Sequence, residues 1–201
     1  MKKVVIATKN RHKFGEIRQI IQPESLGIEL VMGGEITDAP AETGKSFFEN
    51  ALIKARHYSE ASGLPAIADD SGLIVNFLGQ EPGLYSARYA GENATYEDNN
   101  RKLLFRLEGF PPERRIAYFI CVAVLYLPDG RYFVASGLVN GKIAAQPRGE
   151  GGFGYDPIFE LPDGRTMAQL SPEEKNRISH RGRAFRRIAL FLKSAIREGW
   201  I

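Results

Sequence analysis

The sequence is poor in cysteine and has no long apolar run. Cys121 is the one cysteine among 201 residues, so no disulfide can form within the chain, which is consistent with a reducing compartment. It lies in the apolar run 116–127, which predicts a buried thiol rather than a nucleophile. No stretch has the ~20 consecutive apolar residues of a membrane-spanning helix, so we expect no membrane partner.

Targeting signals, internal repeats and low-complexity tracts are also missing. Two lysines follow Met1, and the apolar run Val4 to Ala7 then gives way to polar residues, which does not resemble a signal peptide. Apolar residues make up 43% of the chain, enough for a proper core, which argues against disorder and against a coiled coil. We therefore expect a cytoplasmic protein with a single domain over residues 1–201.

The net charge of +3 is small, but positive charge is concentrated near the C-terminus. Residues 165–201 hold nine lysines and arginines against three glutamates. Such a segment is compatible with a nucleic-acid surface, with the solvated face of a helix, and with a pocket for a phosphorylated small molecule. Charge alone does not choose among the three.

Hydrophobic periodicity predicts an alternation of strands and helices. The apolar run from Lys3 to Thr8 predicts a strand, and isoleucines at helical spacing before Pro23 predict a helix. Ser46 and Glu49 suit a capping box for a second helix that ends at Gly63. The other predicted elements are strands at 66–68, 73–75, 115–127 and 131–139, a helix that begins at Ser171-Pro172, and a last helix over about 182–198.

The loop from Thr8 to Lys13 joins the end of the first predicted strand to the start of a helix. Free backbone N–H groups and the helix dipole attract anions at such a place. Hydroxyl, amide and ammonium side chains add further donors, which favours a phosphate site. A solvated polar turn is an equally open alternative for this segment taken alone.

Two adjacent carboxylates, Asp69 and Asp70, interrupt an apolar extended segment. They repel each other and are costly to keep ionised without a cation or many hydrogen-bond donors. Mg²⁺ is the natural partner because it prefers hard oxygen ligands, and Glu42 can complete or orient its site. The alternative is a turn, because residues 69–72, Asp-Asp-Ser-Gly, also have good turn chemistry.

Hydrogen-bond donors recur near the C-terminus, in what we expect to be a short connection between two helices. They suit a phosphate or the carbonyl of a base, although a solvated helix cap is the better explanation of this segment taken alone. The residues are Lys175, Ser179, His180 and Arg181.

Six short segments stand in a fixed order from Ala7 to about Ala184. They are Ala7-Thr8-Lys9-Asn10 with Lys13, Phe48-Glu49-Asn50-Ala51 with Lys54-Ala55, Ala68-Asp69-Asp70-Ser71-Gly72-Leu73, Pro82-Gly83-Leu84-Tyr85-Ser86-Ala87-Arg88-Tyr89, Gly152-Phe153-Gly154-Tyr155-Asp156-Pro157, and Ser179-His180-Arg181. Together they resemble the inosine triphosphate pyrophosphatase family. Each segment is weak by itself, but six in order over nearly the whole chain make the resemblance specific.

The resemblance implies an α/β fold with an elongated, mixed central sheet flanked by helices, and two lobes with an active-site cleft between them. It implies a homodimer without a stable nucleic-acid partner. The implied activity is Mg²⁺-dependent hydrolysis of non-canonical purine nucleoside triphosphates, namely ITP, dITP and XTP, to the monophosphate and pyrophosphate. That activity would keep these bases out of DNA and RNA.

The resemblance also implies a role for individual residues. Asp70 would be the catalytic proton acceptor, and the metal residues would be Glu42, Asp69 and Asp70. Substrate would be bound by Thr8, Lys9, Asn10, Arg11, His12, Lys13, Ser71, Phe153, Gly154, Tyr155, Asp156, Lys175, His180 and Arg181. Two positions depart from the family pattern: Lys9 replaces a glycine of many relatives, and Ala41 replaces a second acid that some carry beside Glu42.

Three rival functions remain open at this level. A pyrophosphatase for modified pyrimidine nucleotides would share the acidic site and differ in the base pocket. A nucleic-acid-binding module would use the basic C-terminal helix, and its affinity would fall steeply with salt. A nucleotide sensor would bind ITP without releasing pyrophosphate.

Overall fold

The protein is described by a computed structural model that covers all residues, Met1–Ile201. Its strands are β1 Lys2–Ile6, β2 Ile28–Met32, β3 Ala66–Val75, β4 Ile116–Tyr126, β5 Tyr132–Ile143 and β6 Phe159–Glu160. Its helices are α1 Arg11–Ile21, α2 Phe47–Ser62, α3 Tyr96–Arg106, α4 Pro172–Ile178 and α5 His180–Arg197. None of the helices has the combination of length and apolarity that crossing a membrane requires.

The six strands form one sheet in the order β2-β1-β3-β4-β5-β6. β1 runs parallel to both β2 and β3, whereas β5 and β6 are antiparallel. The predicted mixed α/β sheet is thereby confirmed. The Pro-Asp-Gly turn predicted between β4 and β5 is present, with the Leu127 amide donating to the Arg131 carbonyl at 2.8 Å.

The chain divides into two compact units. Unit 1 comprises Met1–Asp70, Cys121–Gly137 and Arg181–Ile201, and unit 2 comprises Ser71–Ile120 and Leu138–His180. β3, β4 and β5 each contribute residues to both units. The two units are described separately below.

Unit 1 has two apolar clusters that take alternate residues of its strands. Side chains of successive strand residues point to opposite faces of a sheet, so Val4 and Ile6 belong to one cluster and Val5 to the other. The first cluster is completed by α1 and α5 and contains Ile17, Ile21, Ile67, Phe185, Ile188 and Leu192. The second is completed by α2 and contains Ala51, Ala55, Tyr58, Ala66 and Ala68. Strands covered in this way are buried on both faces, as a parallel sheet requires.

Unit 2 has a core of its own. Leu73 and Val75, at the end of β3, pack with Leu103 and Leu107 from α3 and the turn after it. The segment 155–170 completes this core with Tyr155, Ile158, Phe159, Leu161, Met167 and Leu170. The predicted burial of Cys121, which lies in unit 1, is confirmed as well.

β3 corrects the prediction of two short strands separated by an acidic interruption. It is one strand of ten residues, and all of them except Ser71 are buried. The turn alternative for residues 69–72 is therefore wrong. The segment stays extended because each carboxylate finds partners on its own face of the strand, as described below.

The helix ends follow the capping signals in part. The Ser46 side chain accepts from the Glu49 amide at 3.1 Å, as the predicted capping box requires. The Glu49 carboxylate, however, accepts from the backbone amide of Lys45 at 2.6 Å instead of from that of Ser46. The box predicted at Ser171 and Glu174 is present, with Pro172 at the first helical position. Two expectations about the C-terminus need correction. α5 begins at His180 rather than near 182, and of the four residues expected in the connection only Ser179 lies there, because Lys175 is in α4 and His180 and Arg181 are in α5.

Candidate active site

The loop after β1 is held by its own side chains. Asn10 is the N-cap of α1, and its Oδ1 accepts from the amides of His12 at 2.9 Å and Lys13 at 3.2 Å. Thr8 Oγ1 accepts from the Asn10 amide at 3.1 Å. The N–H groups of His12 and Lys13, in the first turn of α1, were expected to be free for a phosphate, but both already donate to Asn10. Attraction of an anion here has to rest mainly on the side chains and the helix dipole.

The basic residues of this loop differ in their surroundings. Lys9 Nζ lies 2.5 Å from Asp38 Oδ1 in an exposed ion pair, which raises the pKa of Lys9 chiefly through that hydrogen bond. Arg11 and His12 are exposed. Lys13 is half-buried, and its Nζ lies 3.4 Å from the carboxylate of Asp69. Lys13 is therefore the basic side chain of the loop that reaches the acids of β3.

Asp69 faces the side of β3 occupied by α1 and α5. Its Oδ2 lies 3.4 Å from Nη2 of Arg181, and Arg181 Nη1 lies 2.7 Å from Glu16 Oε2. Asp69 is 4% exposed and Arg181 3%. Burial by itself would lower the pKa of Arg181, but the carboxylates of Asp69 and Glu16 outweigh it and the pKa is raised. Asp69 is thus a counter-ion for buried positive charge.

Asp70 faces the opposite side of β3, toward α2. Asn50 Nδ2 donates to its Oδ2 at 3.1 Å, and Lys54 Nζ lies 3.7 Å from its Oδ1. The same Nζ lies 2.8 Å from Glu42 Oε1. Burial raises the pKa of Asp70, and the nearby ammonium of Lys54 and the amide of Asn50 offset this only in part. The site therefore disfavours the ionised form of Asp70, which makes its carboxylate a better proton acceptor.

Of the three acids predicted to bind magnesium, only Glu42 and Asp70 are arranged so that they can share one ion. No group of three or more His, Cys, Asp or Glu side chains is placed to hold a metal ion. Asp69 is engaged with Arg181 and Lys13, so it does not join Glu42 and Asp70 in one cluster. Glu42 and Asp70 do converge on one ammonium, that of Lys54. Two hard oxygen donors directed at one positive charge suit Mg²⁺, which takes one or two carboxylates together with substrate phosphates.

In unit 2, two of the predicted base-binding residues, Asp156 and Lys175, lie around the ring of Phe153. Lys175 Nζ stands 4.8 Å from the centre of that ring and 2.5 Å from Asp156 Oδ2. The same oxygen of Asp156 accepts from the Phe153 amide at 2.8 Å. Phe153 is half-buried, and its ring lies beside this buried ion pair and 6.0 Å from the ring of Tyr96.

Gly152 is required by this loop. Its φ is +73°, and a Cβ there would lie 2.1 Å from Asp156 Oδ2. Gly154 is also in the left-handed region, with φ +64°. A cavity of about 530 Å³ opens beside the loop, against α3, and Phe153 and Gly154 are among its lining residues.

Other predicted residues have structural partners. Tyr155 is buried, and its hydroxyl donates to the Ser86 carbonyl at 2.9 Å, so its ring supports the loop rather than offering a surface. His180 is buried and stacks on Phe119 at 4.7 Å with an interplanar angle of 14°. Ser71 is half-buried in β3.

Some site residues were missed by the sequence reasoning. Asn50 and Lys54 lie in the segment that contributed to the family resemblance, but no role was assigned to them. Glu16 lies one helical turn after Lys13, a spacing that places both on one face of α1. Asp38 carried no signal, because its partner Lys9 is distant in the sequence.

The chain is similar to known proteins over almost its whole length. The model of the Ham1 family matches residues 4–191. The chain is 48% identical over 200 residues to the dITP/XTP pyrophosphatase of Symbiobacterium thermophilum, covering 98% of each chain. It is 47% identical over 203 residues to the enzyme of that name from Salmonella paratyphi A, covering 99% of this chain and all of the relative.

A solved structure supports the same relationship. The HAM1 protein from Coxiella burnetii superposes with a TM-score of 0.88 at 42% sequence identity, over 97% of this chain and 100% of the other. A structural and a sequence match of this extent establish common descent. The chain therefore belongs to the Ham1 family.

Proposed function

We propose that the protein is a Mg²⁺-dependent nucleoside-triphosphate pyrophosphatase that hydrolyses ITP, dITP and XTP to the monophosphate and pyrophosphate. The observation that carries the proposal is the buried Asp70 on β3, which shares the ammonium of Lys54 with Glu42. The relatives named dITP/XTP pyrophosphatase identify the substrate class. The enzyme would act as a single-domain, cytoplasmic homodimer that clears these nucleotides before they enter DNA or RNA.

The residues of unit 1 would act on the triphosphate. Asp70 would orient a water molecule and accept its proton as the water attacks the α-phosphorus in line with the departing pyrophosphate. Lys13 and Lys54 would stabilise the negative charge on the phosphate oxygens. Mg²⁺, held by Asp70 and Glu42, would supply further positive charge there. Asp69 would support this arrangement by neutralising Lys13 and Arg181 rather than by binding the metal directly.

The residues of unit 2 would recognise the nucleoside. The half-buried ring of Phe153 would stack on the purine, and the ion pair of Lys175 with Asp156 would hold the loop in place. A donor from His180 would serve the 6-oxo group of hypoxanthine or xanthine. Adenine presents an amino group at that position, and buried donors left unpaired can discriminate by ~10⁴ or more.

The test is pyrophosphate release from ITP, dITP, XTP, GTP and ATP, with and without Mg²⁺. We expect fast, metal-dependent release from the first three only. Asp70→Asn should lower kcat by about 10²-fold or more, the loss typical for a general base. Asp163→Asn, an exposed residue paired with Arg165 in unit 2, is the matched control and should keep full activity.

Each other outcome would contradict a specific part of this proposal. Equal kcat/KM for ITP and ATP would contradict the base-recognition scheme. Release restricted to modified pyrimidine nucleotides would identify the neighbouring enzyme class. Saturable binding of ITP without pyrophosphate release would identify a sensor, and full activity of Asp70→Asn would remove Asp70 from the mechanism.

A further inference from the structure

Asn50 is a buried polar residue of unit 1 that the proposed mechanism does not use. It lies in the first turns of α2 and is 3% exposed. Its Oδ1 accepts from the Gly44 amide at 2.8 Å, and its Nδ2 donates to Asp70 Oδ2 at 3.1 Å. Both ends of the amide are therefore engaged, one with a loop and the other with the proposed base.

The orientation of this amide follows from its partners. A backbone N–H can only donate, so Asn50 must present its oxygen to Gly44. The NH₂ group then faces Asp70, and it can only donate to Oδ2. Asp70 Oδ1 is left on the side of Lys54, at 3.7 Å from Nζ. A single amide thus determines which oxygen of Asp70 lies against Asn50 and which one lies on the side of Lys54.

The loop end of this contact is equally restricted. A Cβ on Gly44 would lie 2.6 Å from Asn50 Oδ1 and 2.8 Å from the Asn50 amide nitrogen, so the glycine permits a close approach of the loop to α2. Glu42 stands two residues before Gly44. Lys54, one turn after Asn50 on the same face of α2, contacts Glu42 Oε1 at 2.8 Å. These two contacts attach the loop that carries Glu42 to α2, in addition to the bond from the Lys45 amide to Glu49.

We propose that Asn50 is a positioning residue that holds the carboxylate of Asp70 and the loop carrying Glu42 in one fixed arrangement. This inference rests on the proposed function of Asp70 and Glu42. Residues that orient groups next to a reaction centre need not touch the substrate, and their loss typically costs about 10–100-fold in activity or metal affinity. Asn50 contacts two parts of the site at once, so its removal should disturb both.

Two substitutions separate its two contacts. Asn50→Ala removes both, whereas Asn50→Asp keeps an oxygen for the Gly44 amide and loses the donor to Asp70. The readouts are hydrogen exchange of the Gly44 amide in the nucleotide-free protein, and kcat and KM for ITP. We expect faster exchange at Gly44 in Asn50→Ala only, and a fall of about 10–100-fold in kcat in both variants. KM for ITP should stay close to the wild-type value, because the hydrogen bonds of Asn50 go to Gly44 and Asp70 and not to Lys13.

Asn99 provides the matched control. It is 2% exposed, its Oδ1 accepts from the Ala90 amide at 2.7 Å, and its Nδ2 donates to the Ala87 carbonyl at 3.1 Å. Asn99→Ala should lower the melting temperature about as much as Asn50→Ala does, without changing exchange at Gly44. This separates a general loss of stability from a local loss of position.

The outcomes distinguish this inference from the proposed function. If the wild type releases no pyrophosphate from any nucleotide, the proposed function fails. If the wild type is active and Asp70→Asn is not, but Asn50→Asp has wild-type kcat, the positioning role alone is refuted. A rise in KM for ITP at unchanged kcat in either Asn50 variant would refute it too. If Asn50→Ala does not fold, Asn50→Asp decides.

Discussion

Asp69 and Asp70 are neighbours in the sequence, but their substitution should have opposite effects on stability. The carboxylate of Asp69 is 3.4 Å from Arg181, and both residues are nearly fully buried. At an effective dielectric constant of about 20, a pair at this distance interacts by roughly 5 kcal/mol. Asp69→Asn leaves Arg181 with Glu16 as its remaining carboxylate partner, so we expect a loss of about 3–5 kcal/mol, the usual cost of breaking a buried ion pair.

Asp70→Asn should instead preserve or raise the stability of the metal-free protein at pH 7. Burial raises the pKa of Asp70, which means that the folded state holds its negative charge at a cost. A neutral amide of the same size relieves that cost, and Lys54 keeps Glu42 as its partner. The same substitution should abolish activity.

Thermal unfolding of both variants in EDTA measures this contrast. For a chain of this size, 3–5 kcal/mol corresponds to a decrease of roughly 6–20 °C in Tm for Asp69→Asn. The reasoning is refuted if Asp69→Asn melts with the wild type, or if Asp70→Asn is destabilised as strongly as Asp69→Asn.

Two further predictions concern unit 2. Arg115 donates to the carbonyls of Leu107, Ile143 and Ala144 at 2.7–2.8 Å, so Arg115→Met should cost about 3–5 kcal/mol in urea unfolding because three buried acceptors lose their donor. Arg114→Met, at an exposed position where the guanidinium lies over the rings of Phe77 and Phe110, should cost about 1 kcal/mol or less. Equal effects of the two substitutions would contradict this. The pKa of Glu160 is lowered, chiefly by the hydrogen bond of its carboxylate with Lys142. The ionised carboxylate therefore stabilises the fold above the unfolded pKa of about 4.3, and this stabilisation is lost as pH falls through the folded pKa. Glu160→Gln should therefore be less stable than the wild type by roughly 1 kcal/mol at pH 7 and equal to it at pH 2, and a difference that persists at pH 2 would refute the ionic origin.

Much of the fold was predictable because the capping residues and the spacing of apolar residues agree with the helix ends and the buried positions of the structure. The isoleucines of α1 and the serine caps of α2 and α4 mark helices whose ends are determined by nearby residues. β2 and α3 were not predicted. β2 is short and half-buried at the edge of the sheet, so its alternation is weak, whereas α3 has a complete capping box of Thr95 with Asp98 that was overlooked.

The candidate site was predictable as a set of residues but not as an arrangement. The family motifs supplied Asp70, Lys13 and Phe153. They could not show that Asp69 and Asp70 lie on opposite sides of one strand, because the local sequence suits a turn as well as a strand. What decides between the two is the set of partners, Arg181 for one carboxylate and Asn50 for the other, and both are distant along the chain.

The continuity of β3 has a consequence for how this protein can vary in length. Asp70 points toward α2 only because it stands two and four positions after Ala68 and Ala66, which pack on the same side. Insertion or deletion of one residue within 66–70 would direct the carboxylate of Asp70, the proposed proton acceptor, at Arg181 and that of Asp69 at Lys54. Such changes should be tolerated in the connection 63–65 and be incompatible with activity a few residues later.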